Sequence, residues 1–436
     1  MEHNQSDSGP FPAESGGINR NTSIDYDQLL DGCSEIGVQL VRFGGEIQRA
    51  EDTVRRLMAA YGLEGEVFAV PNCVWASLLA PDGSIHARMR RVPAGATDIE
   101  GIERLNDLSR RLCADPPSDP AQLSVLCRET LAGLTAYPAA LVLGGYFLGA
   151  CFFALFFSGG WAEAAAAGLA GLASGAVLLA LGRARANAFI ATLISSFILA
   201  SAAYGLLALG APVNIEVTIA GGLMVLVPGL VFTSFMTDLL TGDMLAGLIT
   251  FARAVLSAAA IALGTGAAMA LYRELFTGTG SLGTVSYVGP LCCVFAFAGC
   301  LGFCPSFNVQ GIGALLCCLG GGISWAVYLF AESLCGNSFI STLAAAVAVS
   351  AYSEVMARVR KCPATSYLTI ALFPLVPGLT IYQAMDYAIR GDMDLFWEKL
   401  FRTFGIAGCI ALGLLMVSAA LDLHRRWKHR RPVTAL

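Results

Sequence analysis

Charge is what this chain has least of. Only 14% of its residues are Asp, Glu, Lys or Arg, while 56% are hydrophobic. Soluble domains carry roughly 25% charged residues. So little charge over 436 residues excludes an ordinary soluble enzyme and calls for a membrane protein. Histidine is equally scarce. The four present (His3, His86, His424, His429) lie outside the long apolar runs, and no H-E-x-x-H metal motif occurs. No G-x-x-x-x-G-K-[ST] loop is present, which argues against an ATP-driven pump. The net charge is −5, and no basic stripe with interleaved aromatics appears, so nucleic acid is not an expected partner. Cysteine is the exception at fourteen residues, but half of them sit in apolar runs, as in Cys292-Cys293 and Cys317-Cys318. They read as small buried hydrophobes, with no metal spacing and no cofactor implied.

The scarce charge is unevenly spread. Twelve of the 27 Lys and Arg precede residue 136, which divides a polar N-terminal part from an apolar remainder. Residues 1–24 are polar, rich in Gly, Ser and Pro, and lack the apolar core of a signal peptide, so a disordered tail is expected. Residues 25–135 read as a small α+β domain. Leu29, Cys33, Ile36, Leu40, Phe43, Ile47, Ala50, Val54, Leu57 and Tyr61 recur every three or four positions and predict one long helix over 25–61. Arg42/Glu46, Glu51/Arg55 and Asp52/Arg56 would pair on its wet face. Two strands (66–79 and 84–92) around the Asp82-Gly83 turn and a helix over 98–113 complete the domain.

Ten apolar stretches of near bilayer-spanning length follow, at 138–157, 161–181, 187–209, 215–237, 245–271, 285–303, 307–330, 338–356, 366–388 and 400–421. With the N-terminus cytoplasmic, inner loops carry Arg183, Arg185, Arg358, Arg360 and Lys361. The basic tail, 423–436, adds Arg425, Arg426, Lys428, Arg430 and Arg431. Outer loops carry Arg273, Arg390 and Lys399. Ten against three obeys the positive-inside rule and predicts both termini in the cytoplasm.

Proline and glycine interrupt two of these stretches in the same words. "LVPGLVFTSFMTDLLTGDM" (226–244) aligns without gaps on "LVPGLTIYQAMDYAIRGDM" (375–393), Arg253 falls on Arg402, and "NAFIATL" (187–193) matches "NSFISTL" (337–343). The chain therefore reads as a mainly α membrane protein with two five-span repeats, 136–275 and 276–422. An odd number of spans per repeat forces opposite orientations, the inverted plan of many secondary transporters. Pro228 and Pro377 each remove a helix hydrogen bond and can start a half-helix whose N–H groups attract a carboxylate. A plain proline kink is the structural alternative.

Candidate substrate contacts are accordingly Pro228, Gly229, Thr233, Pro377, Gly378, Tyr382 and Gln383. Candidates for coupling or gating are Asp238, Asp243, Asp386, Asp392, Arg253 and Arg402. An arginine nine residues inside a span needs a partner, and Asp238 and Asp243 are nearest to Arg253 by sequence; Arg402 can simply snorkel. Asp243 and Asp392 carry protons if partly buried, or cap the next helix. Asn187 and Asn337 form a repeated pair of polar residues or of caps.

These residues resemble a known family. "RFGGEIQRAEDT" (42–53), with Arg42, Gly44, Glu46, Arg49, Glu51 and Thr53, is similar to the N-terminal signature of the bacterial and fungal threonine/serine exporters, in the form that fuses both halves. Gly45 departs from the alanine expected there. "LVPGL…GDM" resembles the family's membrane motif in both halves. The resemblance implies proton-driven export of small amino acids across the plasma membrane by a multi-pass antiporter. Its partners are the lipid bilayer, protons and the substrate, with room for a homo-oligomer. Related two-chain versions imply a dicarboxylate alternative, and a hydrolase-like N-terminal domain is a further one, for which Cys73 and His86 are the nearest residues.

Overall fold

A computed structural model describes residues 24–226, 229–272 and 287–429. The predicted helix over 25–61 is two helices, α1 (Tyr26–Arg42) and α2 (Ile47–Ala60). Gly44 takes φ +82°, a left-handed conformation that ends α1, and the chain re-enters a helix after Glu46. The apolar period runs on because both helices bury their faces in one core with Leu29, Leu40, Val54 and Leu57. The expected wet-face pairs shift with the break: Arg55 meets Asp52 at 2.7 Å, and Arg49 meets Glu46 at 3.9 Å. The two predicted strands are three, β1 (Gly65–Val70), β2 (Cys73–Leu79) and β3 (Ile85–Arg91), an antiparallel meander with a turn at Pro71-Asn72. α3 (Ile99–Ala114) is followed by α4 (Ala121–Ala132), a helix the periodicity did not reveal.

The apolar region holds α5 (Ala139–Phe156), α6 (Trp161–Arg183), α7 (Ala188–Ala208), α8 (Ile215–Leu223), α9 (Gly229–Thr241) and α10 (Met244–Tyr272). It continues through α11 (Gly289–Phe303), α12 (Ile312–Cys335), α13 (Ser338–Arg360), α14 (Thr365–Ala371), α15 (Gly378–Arg390) and α16 (Met393–His429). Seven of the described helices (α5, α6, α7, α10, α12, α13 and α16) are long and apolar enough to cross a membrane. The fourth and ninth apolar stretches are each broken in two, as α8/α9 and α14/α15.

Packing follows one pattern twice. α8 lies against α5, α6 and α7, and α14 lies against α11, α12 and α13. α10 packs on α7 and α9, and α16 packs on α13 and α15. Between these two sets, α5 meets α11, α10 meets α15, and α16 meets α9. The α5–α11 crossing is close because it is made of glycine. A Cβ on Gly302 would stand 2.3 Å from the Gly149 nitrogen, and one on Gly145 would stand 2.3 Å from the Gly302 oxygen. Gly145 and Gly149 form a G-x-x-x-G face of the kind that lets membrane helices touch backbone to backbone.

The N-terminal domain sits on three connections of this bundle. The Ile99 N–H donates to the Phe307 carbonyl at 3.0 Å, and Asn308 donates to Asp98 at 3.0 Å, both in the α11–α12 connection. Arg110 donates to the Lys361 carbonyl in the α13–α14 connection. Ile99 and Ile102 join Phe303, Tyr367 and Phe373 in a shared apolar cluster. The third connection, α9–α10, belongs to the site described next.

Candidate functional site

α9 begins at Gly229 and α15 at Gly378, in each case the residue after the repeated proline. Pro377 occupies the N-cap position, and its carbonyl accepts from Ile381 N–H at 3.1 Å. Pro228 lies outside the described residues. Before α15 the chain tightens, with Leu375 and Val376 N–H groups both donating to the Leu372 carbonyl. The two half-helices share one apolar cluster, in which Phe235 of α9 and Ile381 of α15 pack with Ala254 and Ala258 of α10. Phe251 and Phe404 flank Phe235 at 5.1 and 6.0 Å between ring centroids.

Polar groups line this contact. Thr233 is buried, one turn into α9. Thr380 donates to the Pro377 carbonyl at 3.0 Å and accepts from buried Thr403 at 2.9 Å, tying α15 to α16. Tyr382 packs on the Leu223 and Leu226 side of the first half and lies beside Thr265 of α10. Gln383 is half-buried on the next position of α15. Asp386 is held by Arg390 one turn on, at 2.8 Å. Asp238 lies 3.3 Å from the Thr250 hydroxyl.

The repeated G-D-M has a local explanation in part. Gly242 and Gly391 take φ +94° and +82°, ending α9 and α15. The Asp243 N–H then reaches back to the Asp238 carbonyl, and Asp392 N–H to that of Tyr387, both at 2.9 Å, as in a Schellman ending. Beyond this shared turn the two aspartates differ. Asp392 accepts from Leu395 N–H at 3.3 Å and caps α16. Asp243 accepts instead from the Gln48 amide at 3.2 Å, a residue of the N-terminal domain.

Arg253 also turns to that domain. It donates to the Asn72 side chain in the β1–β2 turn, and not to Asp238 or Asp243 as their sequence proximity suggested. In α2, Glu51 accepts from Ala69 N–H at 2.7 Å. Burial raises the Glu51 carboxyl above the usual range; the Ala69 hydrogen bond opposes this and the nearby Asp243 carboxylate adds to it. Gln48 and Glu51 lie in the 42–53 signature, so that stretch was a usable signal. Asn72 carried none. Arg402 is exposed on α16, away from this contact. Asn187 and Asn337 cap their helices, accepting from Phe189 N–H at 2.8 Å and Phe339 N–H at 3.0 Å. Sequence reading also missed Glu163. This buried carboxylate accepts from Gly160 and Asn214 N–H groups, each at 2.9 Å, and joins two connections at the far end of the first half.

Cys73 and His86 do not meet. Cys73 pairs with Arg91 and His86 with Leu78, on opposite faces of the sheet and roughly 17 Å apart along β2. His86 instead bridges Asp27 at 3.0 Å and Ser84 at 3.1 Å. Ser84 in turn gives its own proton to Asp82 at 2.6 Å, so the constellation fastens a hairpin tip to α1.

Two family models match the chain in tandem. One, described as "Putative threonine/serine exporter", covers residues 31–272, and the other, "Threonine/Serine exporter, ThrE", covers 292–420. The chain belongs to the threonine/serine exporter family. The junction between the two matches falls between α10 and α11, so each match takes in one interrupted helix pair. The family is one of transporters, and its membership fits the apolar helices of a multi-pass membrane protein. No curated protein and no solved structure matches the chain.

Proposed function

We propose that the protein is a secondary active transporter that exports threonine, serine or a similar small amino acid across the plasma membrane in exchange for protons. The observation that carries this reading is the pair of interrupted helices, α8/α9 and α14/α15, in corresponding places of two sets packed alike. Counting each pair as one crossing and α11 as another, ten crossings result, five per half, with the halves inverted. The three connections touched by the N-terminal domain (α9–α10, α11–α12 and α13–α14) then fall on one side of the membrane. One of them holds Lys361 next to Arg360, so the positive-inside bias supports the cytoplasm as that side and, with an even number of crossings, as the side of both termini.

In this reading the substrate lies between the half-helices. Its carboxylate meets N–H groups at the starts of α9 and α15, after Pro228 and Pro377, where the positive helix ends favour an anion. Gly229 and Gly378 leave the backbone open to it, and Thr233, Tyr382 and Gln383 supply polar contacts to its side chain. Asp243 and Asp392 carry the coupling or closing step, with Asp238, Asp386, Arg253 and Arg402 as further charged groups along the two faces. Their unequal partners, Gln48 for Asp243 and a helix end for Asp392, support different roles in the two halves.

Cells loaded with labelled threonine, serine or succinate test the reading. Faster efflux of threonine or serine with the protein present, abolished by an uncoupler, is expected. Efflux of succinate alone makes it a dicarboxylate exporter, and no efflux of any of the three removes the proposal.

A further inference from the structure

The three-stranded sheet has two faces. Val67, Ala69, Val74, Ala76 and Leu78 point to the side where α1 and α2 pack. The other side carries Phe68, Trp75 and Met89 in one cross-strand row, and Leu79 beside Ile85 in another. These five side chains are between 53% and 76% exposed. The solvated face of an antiparallel sheet is normally polar. Here it is the most apolar surface of a domain that otherwise shows charge.

We propose that this face is a homodimer interface, covered by the same face of a second copy. At about 200 Å² per fully exposed side chain of this size, the five leave roughly 600 Å² of apolar surface in one patch. That is the upper end of what monomers leave open. Two such faces bury about 1,200 Å², enough for a specific interface. Sheets pack face to face about 10 Å apart with strands within ~30°, and a two-fold axis lets one patch serve both copies. Charge favours a second copy over the bilayer surface. The face holds one acid and one base, Glu66 and Arg91, whereas attraction to an anionic leaflet takes a cluster of basic residues. The β1–β2 end of the sheet is the end fastened to α10 through Asn72 and Arg253, so pairing of the sheets holds two transport units side by side.

The test uses the full chain in lipid nanodiscs, with copy number read by native mass spectrometry. Two copies are expected for the wild type and one for the Trp75→Glu/Met89→Lys double variant; both positions are exposed, so the fold is kept, as circular dichroism checks. Independently, an Ala87→Cys chain in native membranes should be joined to its twin by a bismaleimide, and adding Trp75→Glu should remove that band. A single copy in the wild type overturns the proposal, as does a dimer that survives the double variant. Quenching of Trp75 emission by brominated lipid, with Trp75→Phe as the blank, reassigns the face to the bilayer. A change in that emission on removing residues 1–22 reassigns it to the chain's own N-terminal segment.

Discussion

Replacing Gly302 by alanine adds one methyl group where two backbones touch. The new Cβ would stand 2.3 Å from the Gly149 nitrogen and 2.7 Å from the Gly145 oxygen, while ordinary contact begins at 3.4 Å. Both neighbours are backbone atoms, so no side chain can swing away. α5 and α11 must part by roughly 1 Å, which loosens the contact between the two halves. Overpacking of this kind costs about 1–3 kcal/mol. For a chain of 436 residues that corresponds to an apparent melting temperature lower by roughly 1–3 °C. Gly144→Ala is the control. It lies on α5 with nothing within 4 Å of where a Cβ would stand, and alanine there should be neutral or stabilising by about 0.5–1 kcal/mol. Both variants, purified in one detergent, are heated at one scan rate and the monodisperse fraction is followed by fluorescence-detected chromatography, because membrane proteins unfold irreversibly. Equal midpoints for Gly302→Ala, Gly144→Ala and wild type would refute the backbone-contact account of the α5–α11 crossing.

Arg253→Ala removes the donor to Asn72, and limited proteolysis should then cut the N-terminal domain several-fold faster while the apolar helices stay protected; an unchanged rate shows the contact is idle. Glu51→Gln keeps the acceptor for Ala69 N–H and removes a charge beside Asp243. Because the folded Glu51 carboxyl is raised, its contribution to domain docking is full below its unfolded value near 4.5 and is lost as pH rises through the folded value. The Gln variant should therefore flatten the pH dependence of hydrogen exchange in β1 above the unfolded value near 4.5; an unaltered profile contradicts this. Asp392→Ala should cost about 0.5–2 kcal/mol of stability as a lost cap, while Asp392→Asn should cost little. Asp243→Asn should leave protein level intact and abolish the response of efflux to a pH gradient; an unchanged response assigns Asp243 to the turn alone.

What could be read from the sequence was what composition and backbone chemistry enforce. Proline and glycine at 226–230 and 375–379 marked the two interruptions, because neither fits a continuous helix. The break after Arg42 was hidden, since the apolar period continues across Gly44 into the same core. The G-D-M repeat drew attention for its carboxylate, yet its glycines at positive φ account for part of the repetition as turn chemistry. Contacts between the N-terminal domain and the helices were beyond reach. Gln48 and Asp243 are 195 positions apart, Asn72 and Arg253 181, and no local pattern links such distant pairs.

Proton-coupled export of a small amino acid is tested most directly by the purified protein in sealed proteoliposomes loaded with labelled threonine, with an imposed pH gradient as the sole energy source. Threonine efflux should rise with the gradient, collapse with a protonophore, and lose its gradient dependence in Asp243→Asn. Efflux that ignores the gradient in the wild type, or its absence for threonine and serine alike, would contradict the proposed transport.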